Sequence, residues 1–277
     1  MDIGGFVLSG TALISLLYGT ELASRQDARI AYAVGFILAG VVLGSVAVRH
    51  FRRVRDPLLD LTTLGVPTYA VTVLWGSATR IGIETVPYLA PLLFQIGFGL
   101  SAFQSGLLLL ATAVGNLGMK VFTTPILQRF GFRTVAIFAT ATAALIVAGY
   151  GWLFPSTPLV LMLVVLFVYG LARSLQFTTL ATLAYADVDD PQKAPASTLW
   201  SVAQQMAIGM GIAFGALCLR VSSALAGAPR PEAQAFALGD FRWAFLAAGV
   251  LIAVSIVGYA RLPADAGNAI AARGSGT

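Results

Sequence analysis

Charge, cysteine and histidine are the scarce features of this 277-residue sequence. Only 10% of its residues are charged, whereas a typical soluble domain carries about 25%. Hydrophobic residues make up 58% of the chain, which is more apolar surface than a water-soluble fold of this size can hide. The composition therefore argues against a soluble enzyme, a nucleic-acid-binding protein and a disordered chain.

The single cysteine and the single histidine restrict the chemistry further. Cys218 has no second cysteine with which to form an internal disulfide, and His50 alone cannot build a histidine metal cluster. The sequence also shows no nucleophile–base–acid arrangement, no phosphate-binding loop and no metal-ligand spacing. We therefore predict no enzymatic activity, no cofactor and no metal site.

Long apolar runs dominate what is present, and the mean hydropathy is +0.85. A helix needs about 20 mostly apolar residues to cross a bilayer. The runs are continuous rather than alternating with period two, which favours helices over a barrel. The sequence predicts an all-α polytopic membrane protein with about eight spans, near 4–23, 30–48, 67–93, 104–124, 133–153, 158–183, 197–219 and 241–260.

The basic residues predict how these spans cross the membrane. Four arginines lie between positions 49 and 55, after the second span, and Arg129 and Arg133 follow the fourth. Basic loops favour the cytoplasmic side, and an even number of spans then places both termini there. Ten of the 17 Lys and Arg residues fall on that side and five on the other. We therefore attribute the net charge of +5 to cytoplasmic loops, not to nucleic-acid binding, and expect a multi-pass protein of the plasma (inner) membrane.

Composition shifts divide the chain into four predicted parts. They are a two-helix transmembrane unit (1–48), a basic cytoplasmic linker (49–66), a six-helix unit (67–262) and a flexible cytoplasmic tail (263–277). The six helices can be divided into two triplets, as in transporters that are built from inverted three-helix repeats.

Charged residues inside predicted spans are the main candidates for function, because a charge at membrane depth costs at least about 2.5–3.5 kcal/mol. The third span holds Arg80 and Glu84, whose i, i+4 spacing places them on one helix face. The sixth span holds Arg173 and Gln176. Two interpretations stay open for Arg80 and Glu84: a structural ion pair that fixes helix packing, or a cavity-facing pair that binds substrate or takes part in proton coupling.

Less specific polar residues have simpler interpretations. Asn116 and Lys120 in the fourth span are interpreted as interhelical hydrogen-bonding residues, and the acidic stretch 187–190 as a solvated loop. Small residues allow close helix packing in lipid, so we predict packing contacts at four glycines: Gly115, Gly118, Gly209 and Gly211.

Several segments resemble the fourteen-helix drug:proton antiporters of the major facilitator superfamily, the EmrB/QacA-like branch. The resemblance rests on four segments: RIGIETVP (80–87), PLLFQIGFGLSAFQSG (91–106), the opening stretch 2–21 and DPLLDL (56–61). The chain is similar to the last eight helices of that family, which are two central helices and the C-terminal six-helix half. The resemblance implies that the N-terminal six-helix bundle, with its antiporter motif and proton-coupling acidic residue, is missing here.

The resemblance also implies roles for particular residues. Arg129, Gly131 and Arg133 match the superfamily's cytoplasmic loop motif, whereas Thr124 and Gln128 replace its glycine and its acid. The first and fourth helices of each half line the transport path in this superfamily. Those helices correspond to the third and sixth spans here, which nominates four cavity-facing residues: Arg80, Glu84, Arg173 and Gln176.

The sequence thus predicts proton-coupled efflux of small amphiphilic or drug-like molecules, with the two arginines holding anionic or polar groups. The expected partners are the lipid bilayer, a small-molecule substrate, protons, and a missing N-terminal half or a second copy of the chain. The alternative is a truncated or orphan half-transporter that needs a partner or is inactive alone.

Overall fold

A computed structural model describes residues 2–24, 30–54, 58–226, 236–263 and 266, and these residues form helices and connecting turns without a strand. The α-helices are α1 (Ile3–Ser24), α2 (Ile30–Phe51), α3 (Pro67–Glu84), α4 (Val86–Leu92), α5 (Ala102–Phe130), α6 (Phe132–Tyr150), α7 (Leu159–Ala184), α8 (Lys193–Ala226), α9 (Leu238–Val254) and α10 (Ile256–Ala260). Short 3-10 helices lie at Leu61–Gly65 and Asp190–Gln192.

Six helical stretches in the described part are long and apolar enough to cross a membrane. They are Ala31–Phe51, Ala102–Phe130, Phe132–Tyr150, Leu159–Ala184, Asp190–Ala226 and Leu238–Ala260. A seventh apolar stretch, Ile3–Gly19, is shorter. The all-α polytopic membrane fold is confirmed, and six of the eight predicted spans appear as full-length apolar helices.

The third predicted span, 67–93, is interrupted. Helix α3 ends at Glu84, α4 follows Thr85, and a single π-helical turn runs from Leu93 to Gly97. Pro87 and Pro91 lie in α4, and neither has a backbone N–H to continue an α-helical hydrogen-bond ladder. The broken segment therefore places Glu84 at a helix end inside the bundle.

Local signals define the next two helices. The Ser101 Oγ accepts from the Gln104 backbone N–H, and the Gln104 side chain accepts from the Ser101 N–H, at 3.2 and 3.0 Å. This capping box starts α5. Gly131 lies between α5 and α6 and has a φ of 76°. Side chains are disfavoured at such a positive φ, so glycine suits the turn between the two helices.

Close helix crossings occur where glycines meet backbone. A Cβ added at Gly115 of α5 would run into the Phe167 carbonyl of α7, and one at Gly170 of α7 into the Thr112 carbonyl of α5. The packing predicted for Gly115 is thus present, and Gly209 and Gly211 also face tight contacts. A Cβ at Gly118 would meet nothing within 4 Å, so the close contact predicted for Gly118 is absent.

The helix ends that the sequence assigns to the cytoplasm meet at one end of the bundle. The Thr68 hydroxyl of α3 donates to Asp187 at 2.8 Å, and the Tyr69 hydroxyl donates to the Ala196 carbonyl at 2.6 Å. Asp187 is therefore a packing contact as well as part of a polar loop. Leu59 of the predicted linker is buried in the same apolar cluster as Tyr69. The orientation of this end in the membrane stays a prediction.

Helices α1 and α2 pack on each other and α1 also contacts α8. His50, in the last turn of α2, lies 2.8 Å from Asp2 at the start of α1. The division of the chain into four parts remains a prediction. Most of the predicted tail, and residues 55–57 of the linker, lie outside the described residues.

Candidate functional site

Glu84 is the centre of a buried ion cluster inside the helix bundle. Its Oε1 accepts a hydrogen bond from Nη2 of Arg173 at 2.8 Å, and Nε of Arg80 lies 3.3 Å from the same oxygen. The side chains of Glu84, Arg80 and Arg173 are 8%, 18% and 22% exposed. One carboxylate oxygen is therefore shared by two guanidinium groups.

The two arginine contacts differ in kind. The bond from Arg173 meets hydrogen-bond geometry. The Nε of Arg80 is close enough for an ion pair, but it has no hydrogen-bond partner. A well-aligned charged hydrogen bond is stronger than a charge contact of poorer geometry. We therefore rank Arg173 above Arg80 as the partner of Glu84.

Neighbouring helices hold this cluster in place. A Cβ at Gly211 of α8 would lie 2.8 Å from the Glu84 Cβ, so α8 approaches α3 closely here. The Thr85 hydroxyl bridges the same crossing by donating to the Gly211 carbonyl at 3.2 Å. The Tyr169 hydroxyl of α7 donates to the Ile83 carbonyl at 2.9 Å. These contacts fix the end of α3, and with it the Glu84 carboxylate.

Phe177 connects the ion cluster to open space. The Arg80 Cζ lies 3.7 Å from the centre of the Phe177 ring, and the Arg173 Cζ lies 5.7 Å from it. Both distances suit cation–π attraction. The same ring forms part of the wall of a cavity of about 480 Å³ between α5 and α7. The wall includes Asn116 and Lys120 of α5 and Ser174, Phe177, Thr178 and Thr182 of α7.

The ion cluster lies far from the nearer end of α7. Arg173 is eleven residues before the end of α7 at Ala184, which corresponds to about 16 Å at 1.5 Å per residue. The ion cluster therefore lies near the middle of a membrane-spanning helix, and the cavity extends from Ser174 towards the end of α7, as far as Thr182. The size of the cavity suits a small molecule.

Gln176 occupies a different position from the other three candidates. It is 1% exposed and is not among the residues that line the cavity. It approaches Tyr259, whose hydroxyl lies 2.6 Å from the Thr79 hydroxyl. Neither amide atom of Gln176 reaches hydrogen-bond geometry with a partner. A role for Gln176 in substrate binding or coupling stays a prediction.

The three residues of the predicted loop motif lie at the junction of α5 and α6. The backbone N–H of Gly131 donates to the Leu127 carbonyl at 3.0 Å, and Nη2 of Arg133 donates to the Ala260 carbonyl at 2.8 Å. Arg129 is exposed, with its Cζ 5.6 Å from the Phe130 ring centre. Arg133 therefore caps the end of α10. A gating role for these residues remains a prediction.

The sequence identifies the charged residues of the cluster but not the cavity wall that includes Phe177. Phe177 is one helical turn after Arg173, a spacing that brings side chains together, but an aromatic residue in an apolar span gives no signal of its own. The sequence predicts interhelical hydrogen bonds for Lys120 and Asn116, and the structure places both residues on the cavity wall. Within the described residues, no group of three His, Cys, Asp or Glu side chains is arranged to hold a metal ion.

The chain is similar along most of its length to named transport proteins. It is 27% identical over 285 residues to the "Putative multidrug resistance protein MdtD" of Cronobacter sakazakii, covering 98% of this chain and 57% of that protein. It is 28% identical over 221 residues to the "Probable transport protein HsrA" of Haemophilus influenzae, covering 80% and 48%. The chain thus spans about half the length of the curated relatives it matches.

The family assignment agrees with the fold. The apolar spans and these relatives support a multi-pass protein of the inner membrane, embedded in the lipid bilayer. Residues 79–275, which include the ion cluster and the cavity, match the Major Facilitator Superfamily. This chain belongs to the Major Facilitator Superfamily, a family of membrane transporters and not of enzymes.

Proposed function

We propose that this chain forms the substrate-binding wall of a proton-coupled exporter of small amphiphilic or drug-like molecules. The observation that supports this most is the contact of Phe177 with both the Arg80–Glu84–Arg173 cluster and the α5–α7 cavity. Buried charges in a membrane protein mark substrate or ion pathways. The names of the MdtD relatives, which refer to multidrug resistance, point to drug-like molecules as the substrate class.

The proposed mechanism is alternating access. Helices α3 to α9 form one wall of the path, and the path opens to one side of the membrane at a time. We further propose that both termini are cytoplasmic, which places the end that contains Asp187 and Ala196 in the cytoplasm. Outward movement of substrate is then driven by proton entry.

Export is tested in everted membrane vesicles that contain the full chain. Ethidium or another amphiphilic dye is added under an imposed proton gradient, and its accumulation is followed by fluorescence. Accumulation that stops when the gradient is collapsed supports the proposal. Accumulation equal to that of vesicles without the chain contradicts it.

A second candidate is a half-transporter that needs a partner. Apolar side chains on α5 are exposed at alternating spacings of three and four residues: Phe103, Leu107, Leu110, Val114, Leu117 and Val121. That spacing is the one that packs helix against helix, and the α5–α7 cavity opens beside it. We propose that a second helical bundle, from another protein or from a second copy, covers this face.

The size of the native protein distinguishes these candidates. Its mass in native membranes is measured by immunoblot, and its oligomeric state by light scattering in mild detergent. A complex larger than the 28.9 kDa chain supports a partner or a second copy. A monodisperse monomer that exports dye contradicts the need for one.

A further inference from the structure

We propose that the end of α2 binds an anionic phospholipid. The binding surface for the lipid phosphate is one face of α2 formed by Arg49, Arg52 and Arg53, which we call the arginine face. This site is separate from the transport path and does not depend on the proposed export. It combines unpaired positive charge at the end of a membrane-spanning helix with an apolar stripe along the same helix.

The three arginines are neighbours on the helix surface. Their positions correspond to i, i+3 and i+4, the spacings that bring side chains to one helix face. The helical hydrogen bonding continues to Arg52, whose backbone N–H donates to the Val48 carbonyl at 3.2 Å. All three arginines are exposed. Three positive charges therefore project from one face at the end of α2.

No carboxylate in the described part of the chain pairs with these arginines. Asp2, which lies at the same end of α2, pairs instead with His50 at 2.8 Å. A guanidinium group has five N–H donors in a planar arrangement, and this arrangement suits the oxygens of a phosphate group. The arginine face therefore has the charge and the donors to bind a phosphate.

A neighbouring cavity contains the acid that limits where the phosphate binds. This cavity, of about 390 Å³, lies between the end of α2 and the 3-10 helix Leu61–Gly65, and Arg52 and Asp60 are both on its wall. The Asp60 Oδ1 accepts from the Thr62 backbone N–H at 2.9 Å and from the Thr62 hydroxyl at 2.6 Å. A carboxylate on the wall disfavours an anion inside the cavity. We therefore place the phosphate on the exposed arginine face.

The arginine face lies where lipid headgroups meet the protein. The apolar stretch of α2 that is long enough to cross a membrane runs from Ala31 to Phe51, so its end falls among the three arginines. Clusters of basic residues directly beside a membrane-spanning helix attract anionic lipids. The position of the charges along α2 therefore favours a lipid phosphate as the ligand.

An apolar stripe continues from the arginine face along α2 and distinguishes a lipid from other anions. Leu38, Val42 and Val46 are exposed, and they precede Arg49 by eleven, seven and three residues, which places them on its helix face. The distance from Leu38 to Arg49 is about 16 Å at 1.5 Å per residue, enough for an acyl chain to lie along it. A dissolved phosphate or an acidic protein segment has no use for this stripe.

Native mass spectrometry of the delipidated full chain in detergent tests the proposal with two matched lipids. Dioleoylphosphatidylglycerol and dioleoylphosphatidylcholine have the same acyl chains and a phosphate each, but only the first has a net negative charge. We expect phosphatidylglycerol to bind at least about fivefold more tightly, the effect of one arginine near an anionic lipid. Equal binding of the two lipids, tighter binding of phosphatidylcholine, or binding of neither would overturn the proposal.

Charge variants locate the lipid on the protein. The double variant Arg49→Gln/Arg53→Gln is expected to weaken phosphatidylglycerol binding about tenfold or more, and Arg49→Lys/Arg53→Lys to preserve most of it. The control Lys193→Gln/Arg261→Gln removes two exposed positive charges elsewhere and should leave binding unchanged. Equal losses in the two Gln doubles would overturn the site. If Arg49→Gln/Arg53→Gln fails to fold, Arg52→Gln decides, and unchanged binding in that variant overturns the site.

Soluble competitors distinguish a lipid from the other anions that a basic surface can bind. Glycerol 3-phosphate has the phosphate without the acyl chains, and a glutamate-rich peptide represents an acidic protein. We expect neither competitor, at millimolar concentration, to displace phosphatidylglycerol, because neither contacts the apolar stripe. Displacement by glycerol 3-phosphate would identify a dissolved phosphate as the ligand, and displacement by the peptide an acidic protein. Either result would overturn the lipid proposal.

Discussion

Glu84 and Arg173 lie 89 positions apart in the chain, and their side chains meet in a hydrogen bond of 2.8 Å between α3 and α7. This contact connects two helices that correspond to the third and sixth predicted spans. Arg80 is only four residues from Glu84, but its Nε contact is longer and less well aligned. The interhelical contact is therefore the stronger constraint on the position of the Glu84 carboxylate.

Double-mutant cycles should rank these two contacts. We expect a coupling energy of about 2 kcal/mol for Glu84→Gln with Arg173→Gln, and a smaller one with Arg80→Gln, because a buried hydrogen-bonded charge is costly to leave alone. Thermal unfolding in detergent measures the four stabilities of each cycle. Additive effects for the Arg173 cycle would contradict the shared-carboxylate arrangement.

Two glycines of α5 and α7 provide a matched test of the helix crossing beside the cavity. Gly170→Ala should destabilise the protein by about 1–3 kcal/mol, because its Cβ has no room and the helices must separate. Gly118→Ala faces open space and should be neutral or stabilising by up to about 1 kcal/mol through helix propensity. Similar losses for both variants, measured by thermal unfolding, would count against this crossing.

Hydropathy predicts most of the fold, and the exceptions have physical causes. Continuous apolar runs are sufficient to locate α2 and α5 to α9. The break between α3 and α4 at Thr85 depends on how the neighbouring helices pack around Pro87 and Pro91. The length of an apolar run carries no information about that packing. Gly115 and Gly118 look alike in sequence, but only Gly115 faces the α7 backbone.

The candidate site was predictable in part for a similar reason. The Arg80–Glu84 contact follows from i, i+4 spacing within one helix. The Arg173–Glu84 contact and the cavity wall require the relative rotation of α3, α5 and α7, which depends on tertiary packing. The sequence therefore does not show that Lys120 of α5 and Phe177 of α7 lie on one cavity wall.

The contact between Asp2 and His50 predicts that the stability of the α1–α2 contact falls at acid pH. The hydrogen bond to His50, and then that from the Gly5 N–H, lower the pKa of Asp2 below its ordinary value of 3.8. A lowered carboxyl pKa stabilises the fold above the unfolded-state value, and this stability is lost as the pH falls through the folded-state value. Asp2→Asn should therefore destabilise the α1–α2 contact at neutral pH, with a difference from wild type that disappears in acid.

Hydrogen exchange of α1 and α2 amides, recorded above and below about pH 4, checks this dependence. Asp189→Asn, which changes an exposed loop carboxylate, is the control and should show no such convergence. A constant difference between wild type and Asp2→Asn across this range would contradict the role of the Asp2 carboxylate.

Variants of Arg133 and Arg129 should distinguish the effect of losing a helix cap from the effect of losing a surface charge. Arg133→Gln removes the bond to the Ala260 carbonyl and should cost about 0.5–1.5 kcal/mol, the net value of one hydrogen bond. It should also speed exchange of amide hydrogens in α10. Arg129→Gln leaves that bond intact and should not. Equal exchange in both variants would show that the cap is not stabilising.

The most direct test of the account is proton-coupled export with and without the Glu84 carboxylate in the transporter assembled in its native membrane. Substrate-induced proton movement is recorded in everted vesicles for wild type and Glu84→Gln at matched protein levels. We expect Glu84→Gln to insert normally and to lose most substrate-driven proton movement. Proton movement and export equal to wild type would contradict a functional role for the Arg80–Glu84–Arg173 cluster.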